Sequence, residues 1–113
     1  MRCAIISAAL AALSGGVVAN TCTSQVVEGF VVYYKIAAQG VPDIPGVCGG
    51  LWDNLKQFSG CIGVGSEKCE ANEAGDLVWE FSDGTSCDDG MIEATWYDAT
   101  QNQWGAIECA QID

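Results

Sequence analysis

Seven cysteines, at positions 3, 22, 48, 61, 69, 87 and 109, constrain this chain of 113 residues more than any other feature. The first stands apart from the rest. Cys3 lies inside an apolar run, CAIISAALAAL (Cys3 to Leu13), preceded by Met1 and Arg2 and followed by Ser14, Gly15, Gly16, Val17, Val18 and Ala19. A positive start, a short apolar stretch and small residues before a cut are the marks of a secretory signal peptide, with Val17 and Ala19 at the −3 and −1 positions of cleavage before Asn20. The run is shorter than the roughly 20 residues a membrane span requires. The expected organisation is therefore a signal peptide over residues 1–19 and a single secreted, extracellular domain over residues 20–113. That cut removes the odd cysteine and leaves Cys22, Cys48, Cys61, Cys69, Cys87 and Cys109. Six cysteines spread over a small secreted domain read as three disulfides. Fifteen pairings are compatible with the sequence, and spacing does not choose among them.

Composition narrows the chemistry further. There are 15 acidic and 4 basic side chains and no histidine, for a net charge of −11, which becomes −12 once Arg2 leaves with the signal peptide. Without histidine the usual near-neutral general base is missing, and with it the Ser-His and Cys-His nucleophile arrangements. No CxxC pair is present, so a zinc site is not expected, and no metal or cofactor is called for. The charge argues against nucleic acid and against an anionic membrane surface as partners.

Along the domain, QVVEGFVVYYKI (Gln25 to Ile36) is dense in β-branched and aromatic residues and reads as one strand, although Val26, Val27, Phe30, Val31 and Tyr34 also fit a helical stripe. Gln39 to Val47 holds both prolines and reads as a loop. Leu51, Trp52, Leu55 and Phe58 predict an amphipathic helix from near Gly49 to Gly60. Cys61 to Val64 suits a short strand, and Ser66 to Asp76 an acidic loop. Leu77, Trp79 and Phe81 alternate with Val78, Glu80 and Ser82 as a clear strand. Ser82 to Gly90 is turn material in which Asp88 or Asp89 caps a second helix bearing Ile92, Thr95, Trp96 and Ala99; a hairpin strand is the competing reading of that segment. Ala106 to Ile112 closes the domain as a strand. The expected fold is α+β, a small disulfide-rich two-layer α/β sandwich of βαββαβ order, with a mostly β domain carrying one helix as the alternative. The two helix-bearing halves look like a weak duplication of one βαβ unit.

The segments VCGGLWDNLKQFSGC (Val47 to Cys61) and CDDGMIEATWYDATQNQWGAIEC (Cys87 to Cys109), with the leader and the six spread cysteines, resemble the small secreted cysteine-rich proteins of filamentous fungi. Within that group the chain is similar to effector-type proteins with a killer-toxin-like α/β sandwich, and some fungal proteins of this size are glycan-binding lectins. The resemblance implies a virulence-associated protein acting outside the cell on a host or competitor, and implies nothing about catalysis. The acidity departs from a membrane-active killer toxin, whose attraction to anionic surfaces calls for Lys and Arg.

Trp52, Trp79 and Trp96 fall on apolar faces and read as core. Trp104, in QNQWG, stands beside amide groups, and an aromatic plate next to hydrogen-bonding side chains is what stacks on a sugar ring and holds its hydroxyls. Tyr97 and Asn102 complete that candidate ligand site, with Tyr33 expected to extend it from the first strand. Asp83, Asp88, Asp89 and Glu93 offer acid pairs of the kind a glycosidase needs, but a domain this small has little room for a cleft that tunes one of them, so the chain is expected not to be an enzyme. Asp83, Asp88 and Asp89 with Gly84 and Gly90 match no EF-hand spacing; capping and turn formation account for them. The leading expectation is a secreted interaction protein engaging a host or competitor extracellular protein. A carbohydrate-binding lectin is the alternative, and an antimicrobial or killer-type toxin the third.

Overall fold

The computed structural model describes residues 20–113, so the expected signal peptide and Cys3 lie outside the described residues. The elements are β1 (Thr21–Glu28), β2 (Val31–Ala38), α1 (Ile44–Leu55), a 3-10 turn (Ser59–Cys61), β3 (Gly65–Ala71), β4 (Leu77–Gly84), α2 (Asp89–Thr100) and β5 (Cys109–Ile112). One five-stranded sheet runs in the order β3-β4-β2-β1-β5, antiparallel except for the parallel pair β1 and β5. Both helices pack on the same face, against the inward row Val32, Tyr34, Ile36 and Ala38 of β2 and Leu77, Trp79 and Phe81 of β4. The outward row of β2, Tyr33, Lys35 and Ala37, is more exposed. The fold is thus the expected α+β two-layer sandwich. Each helix joins parallel strands that are not neighbours: β4 lies between β2 and β3, and β2 and β1 lie between β4 and β5.

The segment read as one strand is a hairpin. β1 pairs with β2 from Thr21↔Ala37 to Glu28↔Val31, leaving Gly29 and Phe30 as a two-residue turn. Gly29 has φ 44° and Phe30 an ordinary negative φ, so the turn needs its glycine at the first central position, where a left-handed backbone is costly for other residues. A bulge between Val26 and Glu28 puts the two halves of the valine-rich run out of phase, which is why no single alternation described it.

Helix α1 starts at Ile44, five residues before the expected Gly49. Asp43 is its N-cap, with its carboxylate accepting from the Gly46 N–H, and Pro45 sits in the first turn, where the missing N–H costs nothing. Cys48 is therefore inside the helix. The expected strand at Cys61 to Val64 is instead the 3-10 turn and a connecting segment, and the expected acidic loop contains edge strand β3. Its charged residues Glu67, Lys68 and Glu70 suit an edge that must not pair with another chain. The β4 strand and α2 appear where the sequence puts them, with Asp88 accepting from the Met91 N–H at 2.9 Å as N-cap. The last strand is shorter than expected, beginning at Cys109 because Ala106 to Glu108 make no ladder.

Three disulfides link Cys22 to Cys109, Cys48 to Cys69 and Cys61 to Cys87. The first joins β1 to β5 at paired ladder positions, the second ties α1 to edge strand β3, and the third ties the 3-10 turn to the start of α2. At the third, Gly60 comes so close to the backbone of Ser86 that a Cβ would lie 2.5 Å from the Ser86 carbonyl oxygen, and the Ser86 hydroxyl donates to the Gly60 carbonyl at 2.8 Å. Trp79 and Trp96 are fully buried. Trp52 packs edge-on against Trp79 and Phe81, with ring centroids 5.8 Å apart in each case. Among the described residues no helix is long and apolar enough to cross a membrane.

Candidate functional site

The helical layer does not cover the whole sheet. α2 begins at Asp89, leaving the hairpin ends of β1 and β2 open on the helix side, and the gap forms a groove of about 490 Å³. Its floor is the inward row of the sheet: Ser24 and Val26 from β1, Val32 and Tyr34 from β2, and Gln111 from β5. Its wall is the β4 to α2 connection and the first turn of α2, with Thr85, Cys87, Gly90, the carboxylates of Asp88 and Asp89 and no lysine. Groove position follows from topology. β1 and β5 are held together by the Cys22 to Cys109 bridge, and the wall is held down by Cys61 to Cys87.

Next to the wall residue Thr85 stands the Gly29-Phe30 turn, which adds no lining residue of its own. The Phe30 side chain belongs to a residue 83% exposed, and its neighbours Val26 and Val27 are 46% and 49% exposed. The backbone beneath them is not free, because the Thr85 N–H donates to the Phe30 carbonyl at 3.0 Å and ties the turn to the groove wall. A large apolar side chain projecting from a tethered two-residue turn has already lost most of the backbone entropy that binding would otherwise cost.

Electrostatics in the groove are one-signed. The Tyr34 hydroxyl donates to the Cys87 carbonyl at 2.8 Å, and burial, reinforced by Asp89, Asp88 and Asp83, pushes its pKa well above the ordinary tyrosine value. It remains a neutral phenol. Behind the wall, Asp83 is almost wholly buried; one carboxyl oxygen accepts from the Gly84 N–H at 2.8 Å and the other has no partner. Burial raises its pKa, opposed in part by the Gly84 hydrogen bond. The Asp83 carboxyl lies within 4.8 Å of the sulfurs of Cys61 and Cys87. Both sulfurs are spent in a disulfide, so the cluster offers one carboxyl group rather than a set of thiolate ligands.

The other acids singled out from the sequence have identifiable structural tasks. Asp88 caps α2, Asp89 occupies its first turn, and Glu93 accepts from the Cys109 N–H at 2.8 Å, fastening β5 to α2. Of the expected ligand residues, Tyr97, Asn102 and Trp104 lie on the second half of α2 and the turn after it, and Tyr33 is separated from them. Tyr97 projects from α2 and is 53% exposed, and Asn102 is exposed with φ 57° in the turn after α2. Trp104, in the same turn, is partly buried against the core, and its carbonyl accepts from Asn20 at 2.8 Å. Tyr33 lies on the opposite, open face of the sheet, away from the helices. There its hydroxyl donates to Glu80, which, with some burial and the Glu80 charge, pushes its pKa up to about 12. None of the four lines the groove. Sequence reasoning misses the groove because Val26 and Tyr34 read as parts of one continuous strand; the Gly29-Phe30 pair is the signal of a turn that sets Val26 and Tyr34 on separate strands and leaves Phe30 exposed.

Comparison of the chain with protein-family models, with curated proteins and with solved structures finds no match, so the case for a function rests on this site's own geometry.

Proposed function

We propose that the protein is a secreted recognition module of the effector type, which engages an extracellular protein of a host or competitor by docking its hairpin end on a segment that carries apolar and basic side chains. The observation that supports this reading is Phe30, exposed on a tethered turn beside a groove with an apolar floor and a carboxylate wall. Aromatic anchors of this kind dominate binding energy when they fill a partner's pocket. The net charge of −12 over residues 20–113 steers a basic partner toward the surface and repels an acidic one. Three disulfides suit the oxidising compartment outside the cell.

The test is capture of partner from extracellular fluid on the immobilised mature chain, alongside Phe30→Ser, in low and in high salt. Phe30 is almost fully exposed, so the variant keeps the fold. The expected result is a partner retained by the wild type, lost in Phe30→Ser and weakened as the Debye length contracts from about 30 Å at 0.01 M to about 3 Å at 1 M salt. Retention unchanged by both the substitution and salt overturns the proposal. Carbohydrate binding is the second reading, favoured by the exposed Tyr97 ring and Asn102 beside Trp104. Saturable binding on a glycan array that is lost in Tyr97→Ala and kept in Phe30→Ser would replace the first reading with the second.

A further inference from the structure

A second cavity, of about 300 Å³, lies between the C-terminal end of α1, the segment after the 3-10 turn and edge strand β3. It is unlike the hairpin groove in both lining and charge. Its apolar surface comes from Trp52 and Leu55 on α1 and from Ile62 and Val64 on the connecting segment. The Trp52 ring is set by its edge-on contacts with Trp79 and Phe81, while Ile62 is 62% exposed. Two charges of opposite sign also line the cavity: Lys56 at the end of α1 and Glu67 on β3. They form no ion pair with each other: among the described residues the ion pair is Lys68 to Glu70 at 3.8 Å, and neither Lys56 nor Glu67 takes part in it.

From this arrangement we infer that the cavity binds a small zwitterion with an apolar body, of the class of free apolar amino acids, its carboxylate meeting Lys56, its ammonium meeting Glu67 and its side chain lying against Trp52, Leu55 and Ile62. Size supports a small molecule, since about 300 Å³ stands at the lower end of ligand cavities. Charge selects the zwitterion over the alternatives. A simple anion is repelled by a domain of net −12 and leaves Glu67 unanswered; a simple cation leaves Lys56 unanswered. A zwitterion satisfies both and carries no net charge into the field. This site shares no lining residue with the hairpin groove, so it stands or falls separately from the function proposed above.

The test uses L-leucine and L-phenylalanine as probes, followed by calorimetry and by tryptophan fluorescence. The controls are glycine, which lacks the apolar body, and 4-methylpentanoate and 3-methylbutylamine, each of which lacks one charge of leucine. At least one of the two amino acids is expected to bind saturably at one site and in preference to all three controls. Lys56→Gln and Glu67→Gln, both at exposed positions, are each expected to weaken it about tenfold, the scale of a hydrogen bond between charged groups. Lys56→Gln should further weaken the residual binding of 4-methylpentanoate and spare the amine, and Glu67→Gln the reverse. Absence of saturable binding by both amino acids, equal binding of either single-charge control, or indifference to the two substitutions overturns the inference.

Discussion

Removing the Cys22 to Cys109 bridge should destabilise the domain more than removing Cys48 to Cys69, and the structure supplies the size of the difference. The two bridges span 87 and 21 residues of sequence. On the chain-entropy relation, closing loops of these lengths restricts the unfolded chain by about 4.6 and about 3.3 kcal/mol at 25 °C, a gap of about 1.3 kcal/mol. Each bridge has one buried and one partly buried end, so the loss of side-chain burial largely cancels between them. Paired alanine variants, Cys22→Ala with Cys109→Ala and Cys48→Ala with Cys69→Ala, isolate the loop-length effect. Urea unfolding followed by tryptophan fluorescence reads it directly, because Trp79 and Trp96 are buried. A gap of that size corresponds to roughly 5–10 °C between the melting temperatures of the variants. The first variant has a second expected signature: β5 loses its covalent hold on β1, so Gln111 and the floor of the hairpin groove loosen and partner binding weakens with stability. Equal destabilisation, or a larger loss in the Cys48 and Cys69 variant, would refute the entropic account and assign the bridges' effect to local packing in the folded state.

Two further perturbations test the groove wall. Asp88→Ala removes the N-cap hydrogen bond of α2 and should cost about 1 kcal/mol, seen as a lower urea midpoint at unchanged slope, while Asp88→Asn keeps the acceptor and most of the stability; equal losses would assign the effect to charge instead. Asp83 has its folded pKa raised by burial above the ordinary 3.8, so its contribution to stability is fully present below that value and is lost as pH rises through the folded pKa. Asp83→Asn, neutral throughout, should therefore gain on the wild type as pH rises across this range and then run parallel to it. A difference independent of pH would show that folding leaves the Asp83 pKa at its unfolded value and that burial does not raise it.

Local signals carried much of the fold. Leu77, Trp79 and Phe81 announce β4 by alternation, and Asp88 announces α2 because a short carboxylate before an apolar stripe satisfies the orphan N–H groups of a helix start. The misreadings have local causes too. Pro45 reads as loop because proline breaks a helix interior, yet in the first turn of α1 it removes an N–H that has no partner. β3 reads as loop because its charges face water, as the residues of an exposed edge strand do.

By itself the sequence determined the cysteine count of the domain, its acidity, its lack of histidine, its α+β class and its buried tryptophans, because composition and periodicity act within a few residues of chain. Only the tertiary structure decided which cysteines pair, since cysteines 87 residues apart in sequence meet only when β5 is laid beside β1. It alone also decided the two cavities. The hairpin groove exists because α2 starts too late to cover the ends of β1 and β2, and the second cavity because the end of α1, the segment after the 3-10 turn and β3 leave a space between them. Neither arrangement is a property of any one segment, and surface that is left uncovered is set by how layers of unequal length stack.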